Sequence, residues 1–128
     1  MVVHSMDDSQ KYELLRHHEK PPENFSFPKQ YLGGANRSFK LQWIKEHGWW
    51  LVYSSKLDGA FCVCCALFAN KKERKNMGAL INFPFRKWHH KSEVITPHSK
   101  KPSHNSAVET ACTFIHSIEN QKEIYQQC

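Results

Sequence analysis

The stretch WWLVYSSKLDGAFCVCCALF, residues 49–68, holds the densest structural signal in a chain of 128 residues. WWLVYSS is rich in aromatic and β-branched residues, the composition of a strand. Lys56-Leu57-Asp58-Gly59 carries the Asp-Gly turn signal, and AFCVCCALF follows as a second apolar run. These features predict a β-hairpin with its cysteines just past the turn. In a strand, Trp49 and Trp50 point to opposite faces, so one is expected to be buried and the other more exposed.

Upstream, Phe39, Trp43 and Ile44 form an apolar stripe for a short helix over 38–47, with Ser38 as N-cap and Gly48 as stop. PPENFSFPKQYLGGANR, residues 21–37, reads as extended chain and turns, with Phe25, Phe27 and Tyr31 pinned on a neighbouring surface. Residues 1–20 hold little core material and are expected to form a flexible leader. Tyr12, Leu14 and Leu15 supply one apolar turn of a short helix before Pro21-Pro22 stops it.

Downstream, Ala69 to Asn76 is a polar, basic loop. Phe83, Phe85 and Trp88 are core candidates leading into a helix around 86–95. Pro97 and Pro102 bracket a break, after which Ser103 caps a last helix with Val108, Ala111, Ile115 and Ile118 on its apolar face. That helix runs almost to Cys128 without a Gly or Pro stop, so it is expected to continue into a longer chain. The fold class expected is α+β: a small zinc-stabilised domain, its hairpin carrying C-x2-C and its flanking helices carrying H-x5-H. The core is expected to gather Trp43, one of Trp49 and Trp50, Phe61, Phe68, Phe85 and Trp88 around that hairpin.

Composition narrows the class further. Hydrophobic residues make up 40% and mean hydropathy is −0.66, with no apolar run of membrane-spanning length and no signal-peptide pattern in Met1–Gln10. Nine histidines accompany five cysteines, an odd number with three crowded at 62, 64 and 65, which points to metal rather than disulfides. The net charge of +6 is concentrated: residues 71–104 carry nine Lys or Arg against Glu73 and Glu93, leaving the rest of the chain slightly acidic. A basic segment of that kind is what a polyanion partner requires.

Cys62 and Cys65 have the spacing of a thiolate pair that grips one Zn²⁺ from a tight turn. His98 and His104 complete the tetrahedral set as H-x5-H, after 32 intervening residues. That gap is far longer than the ~12 residues of ordinary Cys2His2 fingers, so it must hold structure of its own. Cys64 makes other pairings formally open, but those spacings chelate poorly and strand alternation turns Cys64 to the core. His89 and His90 read as solvent or phosphate contacts, and Cys112 as a small buried hydrophobe. Catalysis has weak support. Phosphate-binding glycine motifs are lacking, the acids are dispersed, and only a Cys65–His98 nucleophile pair remains formally open.

RSFKLQWIKEHGWWLVYS (37–54), DGAFCVCCALF (58–68), FRKW (85–88) and HSKKPSH (98–104) together resemble the TTF-type zinc finger of hAT-type transposases and of transposase-derived zinc finger MYM-type proteins. The resemblance spans about residues 22–110, within a domain bounded at 21–110 and followed by the 104–128 helix. It implies Cys62, Cys65, His98 and His104 as ligands of one structural Zn²⁺, double-stranded DNA as partner, and a nuclear location. Pro97, directly before the first histidine, departs from a ligand inside a helix. A chain of 128 residues leaves no room for a transposase catalytic domain, so no enzymatic activity is expected. The expected DNA contacts are Lys71, Lys72, Arg74 and Lys75 in the loop, with Arg86, Lys87 and Lys91 on the following helix; there Lys87 and Lys91 would share a face. The alternative is a zinc-stabilised protein-interaction module, with a protein partner or self-association through the C-terminal helix.

Overall fold

The computed structural model describes residues 6–120. Helix α1, Asp8–His17, starts in a capping box: the Asp7 carboxylate accepts the Gln10 amide, and the Gln10 side chain accepts the Asp7 amide. It is no loose leader. Leu15 is buried, and Tyr12 and Arg16 both bond to Glu119 at the far end of the chain. Phe25 and Phe27 then lay their rings against Tyr53, as the aromatic spacing predicts.

Strands β1, Gln30–Leu32, and β2, Ala35–Arg37, pair antiparallel around Gly33-Gly34. Both glycines have positive φ, +58° and +86°, which a tight two-residue hairpin turn demands. This ribbon gives the extended chain and turn read from the sequence a strand pairing, but Tyr31 on it is 73% exposed rather than pinned. Helix α2 is Leu41–His47, beginning after Lys40 instead of Ser38 and stopping at Gly48, whose N–H donates to the Ile44 carbonyl.

The hairpin of the 49–68 stretch comprises β3, Leu51–Ser54, and β4, Gly59–Cys62, with Leu51 opposite Cys62 and Ser54 opposite Gly59. Trp49 and Trp50 lie in the turn ahead of β3, Trp50 buried and Trp49 half-buried. The second apolar run is only half strand. At Val63 it turns into helix α3, Val63–Phe68, buried from Val63 to Leu67. Gly59 has no room for a side chain, since a Cβ there would lie 2.3 Å from Cβ of Pro84. The chain around 80–85 runs along the open edge of β4: Ala60 and Phe85 exchange both backbone hydrogen bonds, and the Cys62 amide donates to Leu80.

Helix α4, Lys71–Arg74, occupies the expected basic loop. The predicted helix over 86–95 is displaced: Trp88–His90 form a 3-10 turn and α5 runs Lys91–His98. Lys87 precedes the helical residues, with ψ of 73°, so Lys87 and Lys91 do not share a helix face. Helix α6, Pro102–Glu119, begins with Pro102 rather than a Ser103 cap, a position where the missing N–H costs nothing. Its buried stripe is His104, Ala107, Ala111, Ile115 and Glu119. Val108 and Ile118 are only half-buried, so the apolar face is turned from the one the sequence suggests. The predicted extension to Cys128 lies outside the described residues.

The domain is α+β: two small antiparallel hairpins with helices packed around them, α3 on α6 and α1 against both. Its core is an aromatic cluster. Phe39 stacks on Tyr53 at 4.8 Å and meets Trp43 and Trp88 edge-on at 5.1 and 5.6 Å, while Phe85 meets Trp88 at 5.6 Å. Phe61 is buried and Phe68 half-buried at the periphery against Phe114, whereas Phe83, expected inside, is 56% exposed. None of the described helices is long and apolar enough to cross a membrane.

Candidate metal centre

Local chemistry explains how the cysteines reach their positions. Cys62 ends β4 and is the N-cap of α3, its sulfur accepting the Cys65 amide at 3.4 Å. A strand running straight into a helix thus turns both sulfurs of the C-x2-C pair to one side. Cys64 is fully buried but stands outside the cluster. On a helix, successive residues diverge by about 100°, so Cys64 points away from Cys65.

The histidines arrive across a helix–turn–helix corner. His98 is the last residue of α5, and the Lys101 amide donates to its carbonyl as the chain turns. Pro102 then opens α6, placing His104 in its first turn. Pro97 fits this arrangement because it sits in the last turn of α5, where the helix is already ending.

The structure brings Cys62, Cys65, His98 and His104 together. Their donor atoms all lie within 4.8 Å of one another, and all four residues are buried. Cys62 Sγ is 3.5 Å from Nδ1 of His104, and Cys65 Sγ is 3.5 Å from Nε2 of His98 and 3.7 Å from Nδ1 of His104. A tetrahedron with Zn–S of about 2.3 Å and Zn–N of about 2.05 Å has an S···N edge of about 3.6 Å. The observed edges match that value. The two imidazoles present different nitrogens, Nε2 from His98 and Nδ1 from His104.

Trp50 closes the outside of the site. Its ring lies 4.6 Å from the His104 ring and 5.5 Å from the His98 ring, and the two imidazoles meet at 4.6 Å. With the histidines only 5% and 3% exposed, the site has no open coordination position facing solvent. That is the hallmark of a structural rather than a catalytic zinc site.

The two sulfurs differ in how readily they take negative charge. The Cys65 thiol is held well below its ordinary range, first by a hydrogen bond from Cys62 and then by the imidazoles, while burial pushes Cys62 up. A divalent cation stabilises both sulfurs as thiolates. Among the described residues, no other group of three or more His, Cys, Asp or Glu side chains converges in this way. His90 pairs with Glu93 beside the stacked His89 ring, and His18 bonds to the Leu14 carbonyl. The Cys65–His98 contact, left open as a nucleophile pair, is one edge of this four-donor cluster.

The expected DNA contacts divide into two groups. Lys71, Lys72, Lys75 and Lys87 are exposed. Arg74 donates to the carbonyls of Cys65 and Ala66, where it closes the end of α3. Arg86 donates to the Asp58 carbonyl, and Lys91 bonds to Glu46 and lies over the Trp43 ring. Each of these three cations has a partner in the fold, although Arg86 is itself exposed, and the sequence does not reveal these pairings because each partner is distant or on the backbone.

The fold and donor set define a small zinc-finger domain whose Cys2His2 site fits one structural zinc ion. The chain is similar to zinc finger MYM-type protein 5. It is 30% identical to the mouse protein and 31% identical to the human one, over 92 residues and 66% of this chain in each case. Those residues span only 14% and 13% of the respective relatives. No family model and no solved structure matches the chain.

Proposed function

We propose that this domain is a TTF-type, zinc-dependent DNA-binding module of a hAT transposase or a transposase-derived nuclear protein, and that it performs no chemistry on its target. Cys62, Cys65, His98 and His104 hold the ion. The observation carrying this reading is the position of the charge: the basic 71–104 segment lies almost wholly between the two ligand pairs. Folding on zinc therefore fixes Lys71, Lys72, Lys75 and Lys87 as exposed cations on a rigid frame. Neutralising four to six phosphates gives a log–log salt slope of about −4 to −5 on duplex DNA. Replacing Lys71, Lys72 and Lys75 with Ala should flatten it by about two to three with zinc retained. A zinc-loaded chain without salt-sensitive duplex binding at low ionic strength overturns the reading.

A protein-interaction module is the second reading. It is favoured by the outer side of α6, where Val108, Cys112 and Phe114 line a shallow depression with Phe68. Binding there would be nearly insensitive to salt, which separates the two.

A further inference from the structure

We infer that the β1–β2 ribbon is the element that reads sequence, lying in the major groove of duplex DNA with Asn36 at a base edge and Tyr31 against the sugar–phosphate backbone. This inference rests on the DNA-binding reading and names the surface that would give it specificity.

The ribbon is anchored from below and open above. Gln30 donates to the Asp58 carboxylate at 2.9 Å, and Nε of Arg37 donates across the ribbon to the Leu32 carbonyl at 2.7 Å. The turn rests on His89, so close that a Cβ on Gly33 would lie 3.1 Å from the imidazole. Gly34, at the tip, has nothing within 4 Å of where its Cβ would be. The base is thus fixed while the tip and outer face project. Tyr31 and Asn36 are direct cross-strand partners, share that outer face and are both exposed.

The electrostatics suit a polyanion. Residues 28–40 contain Lys29, Arg37 and Lys40 and no acid, and the exposed Lys87 lies just before His89. Asp58, the carboxylate touching the ribbon, is already bonded to Gln30 and Tyr53 and lies beside Arg86.

Geometry selects this element over the helices. The major groove, about 12 Å wide, admits a helix or a two-stranded ribbon, and an Asn amide matches the N6/N7 edge of adenine. Helix α4 is a single turn of four residues, and α6 has no Lys or Arg from Pro102 to Glu119. Phosphate contacts from Lys71, Lys72 and Lys75 set affinity without sequence information, so a separate reader is needed for specificity.

The experiment uses the zinc-loaded chain on a randomised duplex library, followed by anisotropy titrations on a selected and a scrambled duplex. The wild type should prefer the selected duplex, with an adenine required at one position. Asn36→Ala should lower the preference there about tenfold while leaving the salt slope unchanged. Tyr31→Ala should weaken binding to the selected duplex, and the triple lysine variant should flatten the slope while keeping the preference. Zinc content and circular dichroism confirm that the exposed-site variants fold. Failure of the wild type to bind duplex DNA overturns both proposals. Duplex binding that is undiminished and equally selective in both ribbon variants overturns the ribbon assignment alone, as does a preference for single strands or the lack of any sequence preference.

Discussion

Removing the metal should unfold the C-terminal half of the domain rather than loosen a single loop. The four donors tie the β4–α3 junction to the end of α5 and the first turn of α6, contacts that span 33 to 42 residues of chain. Without the ion, two sulfurs and two imidazoles are crowded into a buried pocket under Trp50 with no metal to satisfy them. Structural zinc contributes about 10–16 kcal/mol of apparent free energy at neutral pH, against about 5–15 kcal/mol of total stability for a typical domain. The aromatic cluster of Phe39, Tyr53, Trp43 and Trp88 does not involve the metal and offsets part of this loss. Chelation should therefore release at least residues 60–105, seen as lost amide-exchange protection in α5 and the first turns of α6. Cys65→Ser should reproduce the effect, while Cys64→Ser should keep one zinc per chain. A chain shown by metal analysis to be zinc-free, yet unchanged in urea midpoint and in the slope of its unfolding free energy, refutes the reasoning.

Three further outcomes follow from the packing. Phe39→Ala empties the centre of the aromatic cluster and should cost about 3–5 kcal/mol in urea unfolding, with zinc stoichiometry retained if folding persists. Gly59→Ala forces a methyl group against Pro84 and should cost about 1–3 kcal/mol, read as a lowered thermal midpoint. Glu119 is held below its ordinary carboxylate range chiefly by Arg16, with a further contribution from the Tyr12 hydroxyl. Its stabilisation is accordingly complete above the unfolded value near 4.5 and is lost as pH falls through the lowered native value. Glu119→Gln should remove that acid-side dependence and detach α1, measured as faster proteolysis near Leu15.

Local signals were legible where a few neighbouring residues decide the backbone. The Asp-Gly signal marks the end of the hairpin turn, with Asp58 at positive φ and Gly59 opening β4, Gly48 stops α2, and the cysteine and histidine spacings point to the donors that converge. AFCVCCALF was harder because an apolar run buried on all sides has no polar side to report its period. The strand-to-helix change at Val63 is therefore invisible in composition. Tyr12, Leu14 and Leu15 mark the short helix α1, but its docking is not legible because it depends on Glu119, more than a hundred residues away. The α6 stripe was misjudged by one position because His104 and Glu119, both polar, belong to the buried face. In the basic segment, charge counting cannot separate Arg74, Arg86 and Lys91, which bond to other parts of the fold, from the lysines whose side chains only face solvent.

The division of the metal donors between a local hairpin and a distant corner also sets an order of assembly. The sulfurs are positioned by the β3–β4 hairpin and one turn of α3, short-range structure that forms early because little loop entropy opposes it. The imidazoles must come from the other side of a long excursion that includes the chain lying along β4 and the whole of α5. During synthesis the cysteine pair leaves the ribosome before the histidines, so the four-donor set is complete only once the α5–α6 corner docks.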